Sequence, residues 1–136
     1  MMLRPLMFAM ICASTPLHAD EAGASLSLDL NTAENVDGAC RLTFMVENTL
    51  THDLTALAYE TVVITTAGEV ERLTIFDFGA VPAGRPRVRQ FDLTGISCDT
   101  IGRLLINGAS ACAGATPDAC IDALKLESRT KQELVG

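Results

Sequence analysis

From residue 25 onward, apolar and polar side chains alternate along most of the chain. Leu26, Leu28 and Leu30 are interleaved with Ser25, Ser27 and Asp29, and Cys40, Leu42, Phe44 and Val46 with Arg41, Thr43, Met45 and Glu47. A period of two puts each apolar set on one face of an extended segment, so 25–30 and 40–47 predict half-buried β-strands. The segment 57–65 is nearly all β-branched or apolar, with Tyr59-Glu60-Thr61-Val62-Val63-Ile64-Thr65 at its centre, as a central strand requires. Thr66-Ala67-Gly68-Glu69 predicts a turn, with Gly68 free to take a positive φ, and 70–78 the returning strand. Val81-Pro82-Ala83-Gly84 is a second turn, with proline in its second position. Strands follow over 87–93, broken by Gly95, and over 101–107. A glycine- and alanine-rich loop is predicted over 108–119, and 121–128 closes the fold with Leu124 and Leu126 inward. Residues 130–136 read as a loose tail or a short edge extension. No stretch of helical period competes. Seven strands with turn signals between them predict an all-β, seven-stranded antiparallel sandwich.

Residues 1–19 follow a different plan. Arg4 precedes an apolar run, Leu6-Met7-Phe8-Ala9-Met10-Ile11-Cys12-Ala13, then the polar segment Ser14-Thr15-Pro16-Leu17-His18-Ala19 and the first acids, Asp20 and Glu21. Charge, short apolar core and small-residue exit are the layout of a secretory signal peptide, with cleavage placed after Ala19. The competing reading is a buried N-terminal helix or strand. Bulky Ile11 before Cys12 argues against a lipid-anchored cysteine, and no arginine pair marks twin-arginine export. The organisation expected is therefore 1–19 signal peptide and 20–136 a single domain. No later segment approaches the roughly 20 apolar residues of a membrane span, so no membrane insertion is expected after cleavage. The location expected is the periplasm or the exterior.

Charge narrows the function further. Ten Lys and Arg stand against 17 Asp and Glu, and only Arg4 falls before Asp20, so 20–136 carries a formal −8. A surface this acidic is a poor fit to nucleic acid, which demands a basic face, and it is repelled by anionic lipid. Four cysteines remain beyond the leader, Cys40, Cys98, Cys112 and Cys120. An even number in an exported chain reads as two disulfides. A four-thiolate metal site is the rival, but such sites pair cysteines a few residues apart, and the nearest two here are Cys112 and Cys120. If successive strands alternate in direction, Cys40 and Cys98 lie at one end of the sandwich and Cys112 and Cys120 bracket a connection at the other. The expected bridges are Cys40–Cys98 and Cys112–Cys120.

The runs Phe44-Met45-Val46-Glu47-Asn48, Thr66-Ala67-Gly68 and Val81-Pro82-Ala83-Gly84 resemble small immunoglobulin-like sandwiches of bacterial envelopes. More closely, Leu73-Thr74-Ile75-Phe76-Asp77-Phe78-Gly79 with the following 82–93 resembles an uncharacterised family of small exported bacterial proteins. The resemblance spans most of 20–136, including the four cysteines and Ser128-Arg129-Thr130. It implies an immunoglobulin-like fold and an envelope location, and no activity.

Catalytic chemistry has few candidates. His52 is the single histidine beyond the leader, so any triad with histidine as base must use it; its neighbours read as an exposed turn. Copper carriers use several Met and His ligands, and beyond residue 19 only Met45 and His52 are of those types. Zinc catalysis needs more histidine, and no calcium-loop spacing is present, so no metal or cofactor is expected. Glu69 and Glu71 read as solvated hairpin carboxylates. Asp77-Phe78-Gly79 copies a kinase triplet without the rest of a kinase; Phe76 and Phe78 are expected to pack inward, with Gly79 ending the strand. One cluster stands out in so acidic a chain: Arg85, Arg87 and Arg89, in Arg85-Pro86-Arg87-Val88-Arg89. Arg87 and Arg89 share a face with Phe91. Arginine recognises carboxylates and phosphates through paired bonds, so the cluster is a candidate binding patch; the alternative is surface pairing with Glu69, Glu71 or Asp92. The stapled loop 108–119 is a second candidate. The expected function is non-catalytic binding of another envelope protein. The alternatives are a structural or secretion-accessory protein without a discrete site, and a small carboxylate-dependent enzyme near His52.

Overall fold

The computed structural model describes residues 23–136 together with Cys12, so the predicted leader and its cleavage after Ala19 lie outside the described residues. Strands run over Leu26–Val36 (β1), Ala39–Asn48 (β2), Leu54–Thr65 (β3), Val70–Val81 (β4), Arg87–Thr94 (β5) and Ile101–Ala113 (β6). A short helix, Ala119–Asp122 (α1), precedes strands Leu124–Ser128 (β7) and Glu133–Val135 (β8). They form two four-stranded sheets, β5-β2-β1-β7 and β4-β3-β6-β8.

The predicted alternation sets the register. Leu26, Leu28, Leu30, Leu42, Phe44 and Val46 are all fully buried, and β1 lies antiparallel to β2 with Leu28 opposite Val46 and Leu30 opposite Phe44. Asp37 (φ 49°) and Gly38 (φ 77°) turn this hairpin; two positive φ values in a two-residue loop match the twist of the flanking strands. From the other sheet, Leu57, Tyr59, Val63, Phe76 and Phe78 fill the space between the layers. Phe76 stacks on Phe91 at 4.6 Å, and Phe44 and Phe78 meet edge to face at 5.6 Å. Packing of this kind adds about 1 kcal/mol per aromatic pair beyond burial.

Both expected disulfides are formed. Cys40 and Cys98 are bridged with Cα atoms 4.9 Å apart, and Cys112 and Cys120 with Cα atoms 6.1 Å apart. The first ties β2 to the 3₁₀ turn Cys98–Thr100 ahead of β6.

Four expectations need correction. The strands number eight, not seven, because Glu133–Val135 pairs with β6 instead of trailing as a loose tail. The sandwich is not purely antiparallel: β7 lies parallel to β1, and β8 parallel to β6. After β6 the chain crosses to the opposite sheet through α1, so β7 arrives beside β1 with the same direction. The segment 121–128 therefore begins as helix and becomes strand only at Leu124, although Leu124 and Leu126 do pack against the core as expected. Gly79 does not end β4; it takes a positive φ (64°) at a register shift, and the strand continues to Val81.

Candidate binding surface

Three connections meet at one end of the sandwich, and Asn48 holds two of them. Its side chain is fully buried. Nδ2 donates to the His52 carbonyl at 2.9 Å and to the Val81 carbonyl at 3.0 Å, while Oδ1 accepts from the Leu50 amide at 2.9 Å. Its backbone carbonyl accepts from the Gly84 amide at 2.7 Å. One amide side chain thus fixes both the 49–53 turn and the β4–β5 connection. Asp53 adds a second tie, with Oδ1 accepting from the Ala83 amide at 2.8 Å. The third connection follows β6. Gly114 has φ +103°, and a Cβ there would collide with the Asp53 carbonyl, so only glycine lets this loop lie against the turn.

The loop predicted over 108–119 is shorter than expected. Residues 108–113 belong to β6, paired with β3 as far as Ala56 opposite Ala113. The remaining 114–118 is drawn inward by Cys120, which is fully buried. The Tyr59 hydroxyl donates to the Cys120 carbonyl at 2.7 Å, and burial pushes the phenol pKa upward. Between the turn and the loop lies an open hollow of about 370 Å³, lined by Ala24, Leu50, His52, Gly114, Ala115 and Ala119 among others. His52 is exposed at its rim. Among the described residues, no three His, Cys, Asp or Glu are grouped so as to hold a metal ion.

The arginines divide into different roles. The ion pairs among the described residues are Arg41–Asp92, Arg103–Glu133 and Arg129–Asp29, and none involves Arg85, Arg87 or Arg89. The expected alternative partner, Asp92, is taken by Arg41 through two bonds of 2.8 and 3.0 Å. The hydrogen bond from Arg41 holds the Asp92 carboxyl below its ordinary pKa. Arg89 instead spans the gap between the sheets. Its Nε donates to the Phe78 carbonyl at 2.8 Å, Nη2 to the Ala80 carbonyl at 3.2 Å, and Nη1 to the Val88 carbonyl at 3.0 Å. Arg87 donates to the Pro86 carbonyl at 3.0 Å. Arg72, which composition did not single out, makes the reciprocal link from β4, with Nη2 donating to the Thr94 carbonyl at 3.0 Å. Arg85 is exposed. It lies in the 82–85 turn that Asp53 holds, with its amide donating to the Pro82 carbonyl at 3.4 Å. The structure thus gathers Arg85, His52 and the stapled loop at one end, and commits Arg89 to backbone carbonyls. Asn48, Asp53 and Arg72 were missed because isolated polar residues at strand ends leave no periodic signal.

No family model matches the chain, and no curated protein does. The resemblance to small exported envelope proteins therefore rests on the residues quoted for it. Among solved structures, the Salmonella enterica trimeric lipoprotein SadB is similar at 17% identity with a TM-score of 0.42, over 52% of this chain and 43% of that one. The chain thus spans under half of the structure it matches, and the likeness assigns no function.

Proposed function

We propose that this protein is a non-catalytic, exported β-sandwich that binds another envelope protein through the end where the 49–53, 82–86 and 114–118 connections meet. The observation that carries this reading is the apolar hollow between the 49–53 and 114–118 connections, with the 82–85 turn, where Arg85 is exposed, tied to the 49–53 turn through Asp53. Rigid loops at one end of a sandwich are a common place for recognition. An apolar hollow and an exposed arginine at the same end suit a partner that presents both an apolar side chain and a carboxylate.

Export is supported by the two disulfides, which persist in oxidising compartments, and by the leader-like pattern of residues 1–19. Among the described residues no helix is long and apolar enough to cross a membrane. An immunoglobulin-like description is supported by the first six strands: β1, β2 and β5 share one sheet and β3, β4 and β6 the other, as A, B, E and C, C′, F do in that fold. The Cys40–Cys98 bridge joins β2, in the place of B, to the turn just ahead of β6, in the place of F. The placement of β7 and β8 departs from it.

The test is capture from envelope extract of the source organism with residues 20–136, compared with Arg85→Glu and with Ala115→Arg. A partner held by the parent and lost by both variants supports the loop end. Equal capture by all three refutes this site, and capture lost only with Arg87→Ala and Arg89→Ala returns the site to the strand.

A further inference from the structure

The outer faces of the two sheets differ in a way that the loop end does not explain. On the first sheet, the outward row Val88, Met45, Asp29, Glu127 is half charged, and the Arg41–Asp92 and Arg129–Asp29 pairs lie on the same side. On the second sheet, Leu73, Val62, Leu105 and Val135 are mutual neighbours in one row across all four strands. They point away from the core, since their neighbours Val63, Leu104 and Leu134 are buried in it. Leu73 is 58% exposed, and Ile75 and Val70 on the flanking rows are 50% and 61% exposed, while Val62 at the centre is covered by its neighbours to 7%. The row is uncharged, although Arg103, Glu133 and Glu60 flank it, and an apolar patch of this breadth on an acidic surface suits an interface.

We infer that a second copy of this chain covers this face, the two sheets packing face to face about a two-fold axis running along the strands. That axis exchanges opposite sides of the sheet. It sets Leu73 over Val135 of the second copy and Val62 over Leu105, so that each larger side chain meets a smaller one. It also answers the charge problem. Glu60, the acid nearest the centre of the face, accepts from Asn107 Nδ2 at 2.7 Å and is paired in the sheet with Gly108. Under this axis Glu60 lies over Gly108 of the second copy and not over another carboxylate. Three strands of about eight residues and the three residues of β8, at about 4.8 Å spacing and about 3.3 Å per residue, give a footprint of about 430 Å² per copy. The total of about 850 Å² is the size of a weak, reversible dimer, not an obligate one. The loop end stays free, so the dimer presents two recognition ends.

Sedimentation equilibrium tests this on the full chain, exported from an expressing bacterium and purified oxidised. The mass is expected to rise from one copy to two as concentration increases through tens of micromolar, on the order expected for so small an interface. Leu73→Glu is expected to stay monomeric throughout, with an unchanged melting temperature because Leu73 lies on the surface. Leu73→Glu combined with Val135→Lys is expected to recover the dimer, since the axis brings those two positions together. A parent that remains monomeric, or a dimer indifferent to Leu73→Glu, overturns the proposal. Failure of the charge pair to restore association overturns the two-fold arrangement. A monomeric parent that loses a different envelope protein on Leu73→Glu assigns the face to that protein instead. Arg85→Glu is expected to leave the dimer intact, which separates this outcome from failure of the loop-end reading.

Discussion

Replacing Arg89 by alanine removes three donors from the seam between β4 and β5. The bond from Nε to the Phe78 carbonyl is partly buried; the bonds to Ala80 and Val88 are exposed. A charge-assisted bond in a partly buried setting contributes about 1.5–2 kcal/mol, and a carbonyl left without its donor there bears most of that loss. Water replaces the guanidinium at the two exposed carbonyls, so they add little. The expected loss is about 2 kcal/mol, which in a domain of this length lowers the melting temperature by about 6–8 °C. Arg85→Ala, at an exposed position outside that seam, is expected to shift it by less than about 2 °C. Arg89→Lys restores the charge but not the fork that reaches two carbonyls, so it is expected to recover less than half of the loss. Differential scanning calorimetry of the oxidised protein reads all three. If Arg89→Ala melts within 2 °C of the parent, or Arg85→Ala falls as far as Arg89→Ala, the seam is not held as described.

The two disulfides should differ in weight. Cys40–Cys98 closes a separation of 58 residues and Cys112–Cys120 one of 8, so in the loop-entropy account their removal as Ala pairs costs about 4 and about 2.5 kcal/mol; urea titration giving the reverse order refutes that account. Gly114→Ala is expected to cost about 2–3 kcal/mol from its positive φ and the collision with Asp53, with the largest amide shifts in residues 49–53 by NMR; a neutral substitution means the loop does not rest on that turn. Asp92 has its pKa lowered from 3.8 by Arg41, so the pair stabilises the fold above the ordinary aspartate range, and that contribution fades as pH falls through the lowered value. Arg41→Ala should return the Asp92 titration, followed by carboxyl NMR, toward 3.8; an unmoved midpoint contradicts the pairing.

Alternation was enough to find β1, β2 and the central strands, because a half-buried strand writes its two faces into every second residue. It was not enough where pairing overrides composition. Gly108, Ala109 and Ala111 have low strand propensity, yet they lie in β6 because β3 supplies partners as far as Ala56. α1 is four residues and β8 three, each too short for any period to show. The disulfide pairing was legible because it depends on which end of a strand a cysteine occupies, and that survives the change from seven strands to eight.

The arginine strand shows a different limit. Sequence exposes charge, so Arg87 and Arg89 point to anions as their partners, either another protein's or neighbouring side chains. Their partners are backbone carbonyls, which every residue carries and no sequence marks. The placement has a physical logic. Four strands form the edges of the two sheets: β7 and β8 are five and three residues long, while β4 and β5 are 12 and eight. Long edges with free carbonyls invite another strand to add. β4 and β5 lie on the same side of the sandwich, and Arg72 and Arg89 bind across the gap in opposite directions. Arginine is suited to this because one planar group reaches carbonyls on both strands while its charge stays near solvent. Arg89, from the cluster that suggested a binding patch, therefore joins Arg72 in closing the side where unwanted strand addition is most favourable. The two surfaces proposed for partners, the loop end and the apolar face of the second sheet, are not edges and so do not offer a strand to extend.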